Sequence, residues 1–273
     1  MKVPSPREIE EFRETVRAHY RERGRRNLPW RKTRDPYRIL VSEFMLQQTQ
    51  VARVVDKFEP FIGRFPDFAS LARAPLRDVL AAWSGLGYNR RALNLRETAR
   101  IVVSRFDGRC PRGFDDLRAL PGIGEATAAE IVNFAFDEPR AFIETNIRSV
   151  YNHHFFPRRK RIADAEILPL VERTLDAENP RRWFYALMDY GVMLKKSRAN
   201  PSRRSAHHAR QSRFEGSDRQ ARGLIVRALA KRGMSEARLA ESTGLSIARI
   251  RTIVPGLERD GLVVRRGAKL GIA

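Results

Sequence analysis

Leu120-Pro-Gly-Ile-Gly-Glu-Ala-Thr-Ala-Ala-Glu-Ile131, followed a short way on by Ile143-Glu-Thr-Asn146, is the stretch that decides the fold. Phe114 to Leu120 has helical spacing, and Pro121 ends that helix because its ring blocks the backbone bond the next turn needs. Gly122 and Gly124 permit left-handed or crowded backbone. Glu125 to Phe134 then runs as a second helix, with Ala126, Ala128 and Ala129 as small residues along its surface. The first amides of such a helix have no partner within it and carry partial positive charge. Two helices joined by this tight turn therefore suit an anion, and no side chain at the glycines holds a phosphate away. Leu-Pro-Gly-x-Gly alone is equally well explained as a bare helical hairpin; the rest of the chain decides between them.

The chain has 273 residues, enough for roughly two domains. A hydrophobic share of 42% can fill a core, and 53 Lys and Arg against 32 Asp and Glu leave a net charge of +21. An excess of this size favours a polyanion, most simply nucleic acid, with an anionic membrane surface as the other option. No apolar run approaches a spanning helix, and residues 1–27 lack the apolar centre of a signal peptide, so a soluble intracellular protein associated with the nucleoid is expected. Cys110 is the single cysteine, which excludes an internal disulfide and any site built from several thiolates.

Outward from the hairpin, residues 4–27 read as a basic helix and tail. Leu28-Pro-Trp-Arg31 follows, and Asp35-Pro36 marks a helix start. Helical patterns cover Tyr37 to Leu46, Val51 to Phe61, Arg90 to Phe106, Glu144 to Phe156, Glu166 to Leu175 and Arg181 to Leu194, with Asp67 and Pro75 opening two more. No alternating strand is evident before residue 194, so residues 1–194 form an all-α unit. Lys195 to Gly216 is basic and poor in large apolar residues, and reads as an irregular linker. Residues 217–273 begin a second unit: helices Asp218 to Lys231, Ser235 to Glu241 and Ile247 to Arg259, then two short strands, Leu262 to Arg265 and Lys269 to Ile272. Three helices and a hairpin resemble a small winged helix-turn-helix of α+β type.

Five ordered motifs make residues 26–194 similar to the helix-hairpin-helix DNA glycosylases of the endonuclease III superfamily. They are LPWR at 28–31, SEFMLQQTQ at 42–50, GLGY at 85–88, LPGIG at 120–124 and ALMDYG at 186–191. LPWR with SEFMLQQTQ resembles the MutY-type adenine glycosylases in particular. The resemblance implies a two-lobed helical core that flips a base, adenine foremost, out of mismatched or damaged double-stranded DNA and hydrolyses its glycosidic bond. Its partner is then DNA, not a membrane, and the protein acts as a monomer. Excision of thymine, uracil or a deaminated purine is the alternative, and a binder that has lost catalysis is the third.

By the same resemblance Glu43 is the acid that meets the departing base, and burial in its apolar segment would favour the protonated form. Glu144 stands where the family has an Asp facing the sugar cation. Asn146 bonds a phosphate, orients water or caps a helix. Arg26, Trp30, Arg31, Leu46 and Asp189 correspond to positions of the base pocket. Gln48 wedges into the stack, Tyr88 inserts beside the opposite base, and Gly122, Gly124 and Thr127 belong to the phosphate-binding hairpin.

Four departures qualify the match. Glu is one methylene longer than Asp. Ala126 replaces the lysine of lyase-type relatives, so a monofunctional enzyme with water as nucleophile is expected. The basic linker stands where relatives hold a four-cysteine iron–sulfur cluster, so a clusterless form with no cofactor is implied. The winged helix stands in place of a domain that reads oxidised guanine. His153-His154 and His207-His208 show no metal-ligand spacing, and a metal site is not expected.

Overall fold

The computed structural model describes residues 4–197, 200–206 and 213–273. In chain order its helices are α1 (Pro6–Arg23), α2 (Pro36–Leu46), α3 (Val51–Arg64), α4 (Phe68–Arg73), α5 (Leu76–Ala82), α6 (Arg90–Arg105) and α7 (Phe114–Arg118). They continue as α8 (Glu125–Phe136), α9 (Thr145–His154), α10 (Asp164–Thr174), α11 (Pro180–Ser197), α12 (Asp218–Lys231), α13 (Glu236–Thr243) and α14 (Ile247–Arg259). Strands β1 (Val263–Arg266) and β2 (Lys269–Ile272) follow. Two compact units interleave along the chain. The first is Met1–Ile39, Arg112–Arg118 and Ile123–Arg210; the second is Leu40–Pro111, Ala119–Gly122 and Gln211–Ala273.

In the first unit, α1 starts where Ser5 and Glu8 form a reciprocal cap with Pro6 at the first helical position. Phe12, Val16 and Tyr20, four residues apart, form its buried stripe. Phe12 enters an aromatic cluster with Tyr151, Phe155 and Trp183, at ring-centroid distances of 5.4, 5.1 and 5.9 Å. Side chains of this size contribute about 1.5–3 kcal/mol each on burial, which makes the α1–α9–α11 contact a main source of stability. Gly191 of α11 is required there. A Cβ at this position would overlap the backbone carbonyl of Asn146, with the carbonyl carbon only 2.7 Å away.

In the second unit, α12 lies against α5, and α13 and α14 pack beside it. Ser217, Ser235 and Ser246 each cap the helix that follows, accepting the amides of Gln220, Arg238 and Arg249. β1 and β2 pair antiparallel with Arg266 opposite Lys269. Gly267, at φ 59°, supplies the positive backbone angle of the two-residue turn. Met234 bridges to Leu270 and extends this wing. The all-helical first 194 residues and the winged-helix ending both stand as expected from the sequence.

Several boundaries differ. α11 continues through Ser197, so Lys195 is helical and not part of an irregular segment. The described part of the 195–216 stretch also holds a 3-10 turn, Pro201–Arg204, and a bridge from Ser205 to Ile162. Glu144 precedes α9 as its cap instead of opening it. β1 starts at Val263 because Leu262 closes the end of α14, donating its amide to the Leu257 carbonyl.

Gly191→Ala is expected to lower the melting temperature by several degrees, as the overlap at Asn146 forces α11 and α9 apart at a cost of about 1–3 kcal/mol. Thermal unfolding followed by circular dichroism measures it.

Candidate active-site residues and nucleic-acid interface

Two loops of the second unit carry the residues expected to enter DNA. Gln48, after α2, is exposed at φ 51°, and Tyr88, after α5, is 37% exposed at φ 47°. Left-handed backbone is uncommon for either residue type and persists where the surroundings over-determine it. The constraint is Arg91, the second residue of α6. Its Nη1 donates to the carbonyls of Phe44, Met45 and Gln47 at 2.8, 3.0 and 2.5 Å. Its Nη2 donates to Thr49 Oγ1, Leu86 O and Gly87 O at 3.0, 3.0 and 3.1 Å. The guanidinium also lies over the rings of Trp83 and Tyr88, at 5.3 and 5.6 Å. Burial lowers its pKa to about 10.

The hairpin turn is fixed from the same unit. Thr98 Oγ1 donates to Pro121 O at 3.0 Å and Gln47 Nε2 to Gly122 O at 3.1 Å. Gly122 sits at φ 80°, and a Cβ there would lie 2.8 Å from Asn94 Nδ2 and 3.0 Å from Phe44 Cε1. Gly124 caps α8 without a side-chain bond, and the first amide answered inside the helix is that of Ala128. The amides of Glu125, Ala126 and Thr127 therefore start the helix without helical partners. The Thr127 side chain is only 7% exposed.

Glu43 lies on α2 and is 5% exposed, with the Ser42 hydroxyl donating to Oε1 at 3.3 Å. Leu46, one turn on, shares its helix face and is half-buried.

In the first unit, Glu144 Oε1 accepts the backbone amides of Asn146 and Ile147 at 2.7 and 2.8 Å, and Oε2 accepts Asn146 Nδ2 at 3.0 Å. Glu144 is thus the cap of α9, and of the roles open to Asn146 capping is the one it does not take. Burial pushes the Glu144 carboxyl up, against the opposing pull of the two amides and of Lys195 and Arg148. The Asn146 Oδ1 is buried with no hydrogen-bond partner.

Two of the expected base-pocket residues, Arg31 and Asp189, are committed to each other. Arg31 Nη1 and Nη2 donate to the two Asp189 oxygens at 2.8 and 3.0 Å, and Arg25 donates to both through its backbone N and Nε. Burial works against the Asp189 charge, but hydrogen bonding and attraction from Arg31, then Arg25, hold its carboxyl below the usual range. Arg31 and Asp189 are therefore a buried ion pair, not open donors and acceptors for a base. Trp30 is 2% exposed, its indole turned inward by the 3-10 turn Pro29–Arg31, so it offers no open stacking face here. Arg26 donates to the carbonyls of Tyr20 and Arg21 at 2.7 and 3.0 Å, closing the end of α1 in place of pointing at a ligand.

Arg91, Gly191 and Arg25 were not singled out from the sequence. A Gly closing ALMDYG and an Arg three residues after GLGY were the available signals. Among the described residues no group of three or more His, Cys, Asp or Glu could hold a metal ion. His154 hydrogen-bonds the Tyr190 hydroxyl at 3.1 Å, and His207 and His208 lie outside the described residues.

Comparison with known proteins follows the same lines. Residues 41–172 match the family described as HhH-GPD superfamily base excision DNA repair protein. An adenine DNA glycosylase of Mycolicibacterium smegmatis is 36% identical over 220 residues, covering 74% of this chain and 75% of the relative. An adenine DNA glycosylase of Buchnera aphidicola subsp. Schizaphis graminum is 35% identical over 187 residues, 67% of this chain and 54% of the relative. A thymine/uracil-DNA glycosylase of Pyrobaculum aerophilum is 34% identical over 194 residues, 69% of this chain and 84% of the relative. The solved structure of a thermostable thymine-DNA glycosylase superimposes with a TM-score of 0.63 at 26% identity, over 71% of this chain and 91% of that one. The chain spans about half the length of the Buchnera adenine glycosylases it matches.

Two outcomes are expected. Arg91→Lys leaves several carbonyls unanswered, and denaturant unfolding should show a loss of about 2–4 kcal/mol. The second concerns pH. A carboxyl whose folded pKa is raised stabilises the fold fully below its unfolded value near 4.5, and that contribution is lost as pH climbs through the raised value. Glu144→Gln keeps the cap acceptor and removes the titration, so its melting temperature relative to the parent should rise as pH increases above 4.5.

Proposed function

Because the chain belongs to the HhH-GPD superfamily of base excision DNA repair proteins, we propose that it is a monofunctional DNA glycosylase. It flips one base out of mismatched or damaged duplex DNA, adenine before others, and hydrolyses the bond joining that base to its sugar. The observation that carries this is the pairing of Glu144 and Asn146 at the start of α9. There a carboxylate is pinned by two backbone amides, and beside it stands an amide oxygen with no partner.

The steps follow from what each group can do. Glu43, buried on an apolar helix face, gives its proton to the departing base as the C1′–N bond breaks. The sugar is left cationic at C1′, and Glu144 faces it. A carboxylate that burial disfavours gains most from a cation developing in front of it, so the attraction is stronger in the transition state than before. Water adds at C1′, oriented by Asn146 Oδ1, and its proton passes to Glu43. Ala126 supplies no amine, so the abasic sugar is released without strand cleavage. The start of α8, where Gly124 supplies no side-chain cap, receives a backbone phosphate, and Gln48 and Tyr88 enter the duplex.

We further propose that the protein works without an iron–sulfur cluster. Cys110 is the chain's only cysteine, so the residues present do not fit that group. The described part of the segment after α11 is tied to the rest of the first unit by hydrogen bonds. Arg204 donates to the carbonyls of Asn152, Phe156, Pro157 and Arg159, and Asn152 Nδ2 donates to Pro201 O at 3.2 Å.

A second base is the alternative, favoured by the thymine/uracil relative and the thymine-DNA glycosylase structure. One duplex panel decides. Adenine, thymine or uracil is placed opposite guanine or oxidised guanine, and product is assayed with and without hot alkali. The expected result is alkali-dependent cleavage at adenine, with Glu43→Gln lowering the single-turnover rate by at least ~10²-fold while binding is retained. Breaks formed without alkali would overturn the monofunctional assignment. Excision confined to thymine or uracil would replace adenine as the base.

A further inference from the structure

Beside the strained loops of the second unit lies a cavity of about 550 Å³. Gln48 and Tyr88 line one side, and Phe214, Arg219, Gln220 and Arg227, from α12 and the residues before it, line the other. Arg219 Nη1 donates to the Tyr88 hydroxyl at 3.0 Å. The same guanidinium lies over the rings of Tyr88 and Phe214, at 5.7 and 5.4 Å. The charged residues lining the cavity are arginines, with no carboxylate among them.

These features describe a site for a flat, electron-rich group attached to phosphate. Two aromatic rings and a guanidinium plane are stacking partners for any nucleobase. A guanidinium fork meets the paired acceptors on one edge of guanine better than those of other bases. A lining without carboxylates suits the flanking phosphates. The volume falls in the range of pockets that hold one small ligand. On α14 and the wing, Arg249 pairs with Asp218, and Arg251 and Arg265 both pair with Glu236.

Base flipping leaves one residue of the duplex without a partner, the base on the opposite strand. We propose that this cavity receives that orphaned base, and that Arg219 determines which opposite base is accepted. The C-terminal winged-helix segment then acts as the reader of the opposite strand, through the start of α12. The assignment rests on the glycosylase function proposed above, so its test includes a measurement that needs no catalysis.

The full chain is titrated into a duplex carrying 2-aminopurine opposite a tetrahydrofuran abasic site. Entry into a ring-lined pocket is expected to quench the fluorophore at saturating protein, and Arg219→Ala and Phe214→Ala are each expected to abolish most of that quench. In parallel, single-turnover excision is measured opposite each of the four bases and opposite an abasic spacer, with the spacer as internal reference. The spread of rates across opposite bases should narrow by about tenfold in Arg219→Ala and partly recover in Arg219→Lys. Equal quenching in parent and variants would overturn the proposal, as would slowing of every duplex by one common factor. Binding of free guanosine monophosphate that depends on Arg219, with no fluorescence change from the duplex, would assign the cavity to a mononucleotide and also overturn it. If the parent protein excises nothing, the glycosylase function fails, and the fluorescence arm still decides the cavity.

Discussion

The contact of Arg91 with two loops is the constraint on which the surface carrying Gln48 and Tyr88 depends. Six oxygens from Phe44, Met45, Gln47, Thr49, Leu86 and Gly87 converge on one guanidinium. Carbonyls at a helix end and in tight loops lack helical partners, and leaving them buried and unanswered is costly. One planar cation with its donors in a fixed fork answers them together, which a lysine cannot do. Burial works against the charge, and a pKa of about 10 still leaves the group cationic at neutral pH. The result is a rigid base under two residues in strained backbone, Gln48 and Tyr88. Such strain is tolerable only because the carbonyls on either side are held.

The same device recurs in the first unit. Arg181 ties the carbonyls of Phe134, Arg31 and Thr33, three segments far apart in sequence. Arg204 gathers four carbonyls around the end of α9. Arg31 and Arg25 enclose Asp189. A net charge of +21 invites assignment of the arginines to a polyanion, yet several of the most deeply placed ones serve as cross-links between backbone segments. Composition reports how many cations there are and says nothing of which face inward. The electrostatic case for DNA therefore belongs to the remaining exposed arginines and to the uncapped start of α8.

What the sequence made legible, and what it hid, divides by range. Helix starts were readable because their causes are local: Ser217, Ser235 and Ser246 lie three residues before the amides they accept. The hairpin was readable for the same reason, since Pro121 and Gly122 act on their own backbone. Gln48 and Tyr88 were placed by motif, and their exposure and strained backbone agree with a surface role. The base-pocket expectations fared differently. Arg31 and Asp189 are 158 residues apart, and neither residue's neighbourhood announces the other. Arg91 and Phe44 are 47 apart, and Gly191 meets Asn146 across two helices. A pairing between distant residues turns a surface arginine into a buried one, and no local period records it.

Glu144 shows how a departure that looks disruptive in sequence is absorbed in three dimensions. A side chain one methylene longer than aspartate would place its charge further from the backbone if it extended. Instead it folds back onto the start of α9, where Oε1 takes the amides of Asn146 and Ile147 and Oε2 takes the Asn146 side chain. The position of the oxygens is therefore set by the helix amides, not by the length of the arm that carries them. Those amides are in turn fixed by the approach of Gly191, which leaves no room for even one methyl group at the Asn146 carbonyl. The geometry of the carboxylate thus depends on a glycine on another helix. Where the carboxylate oxygens lie therefore follows from α11 as much as from residue 144 itself.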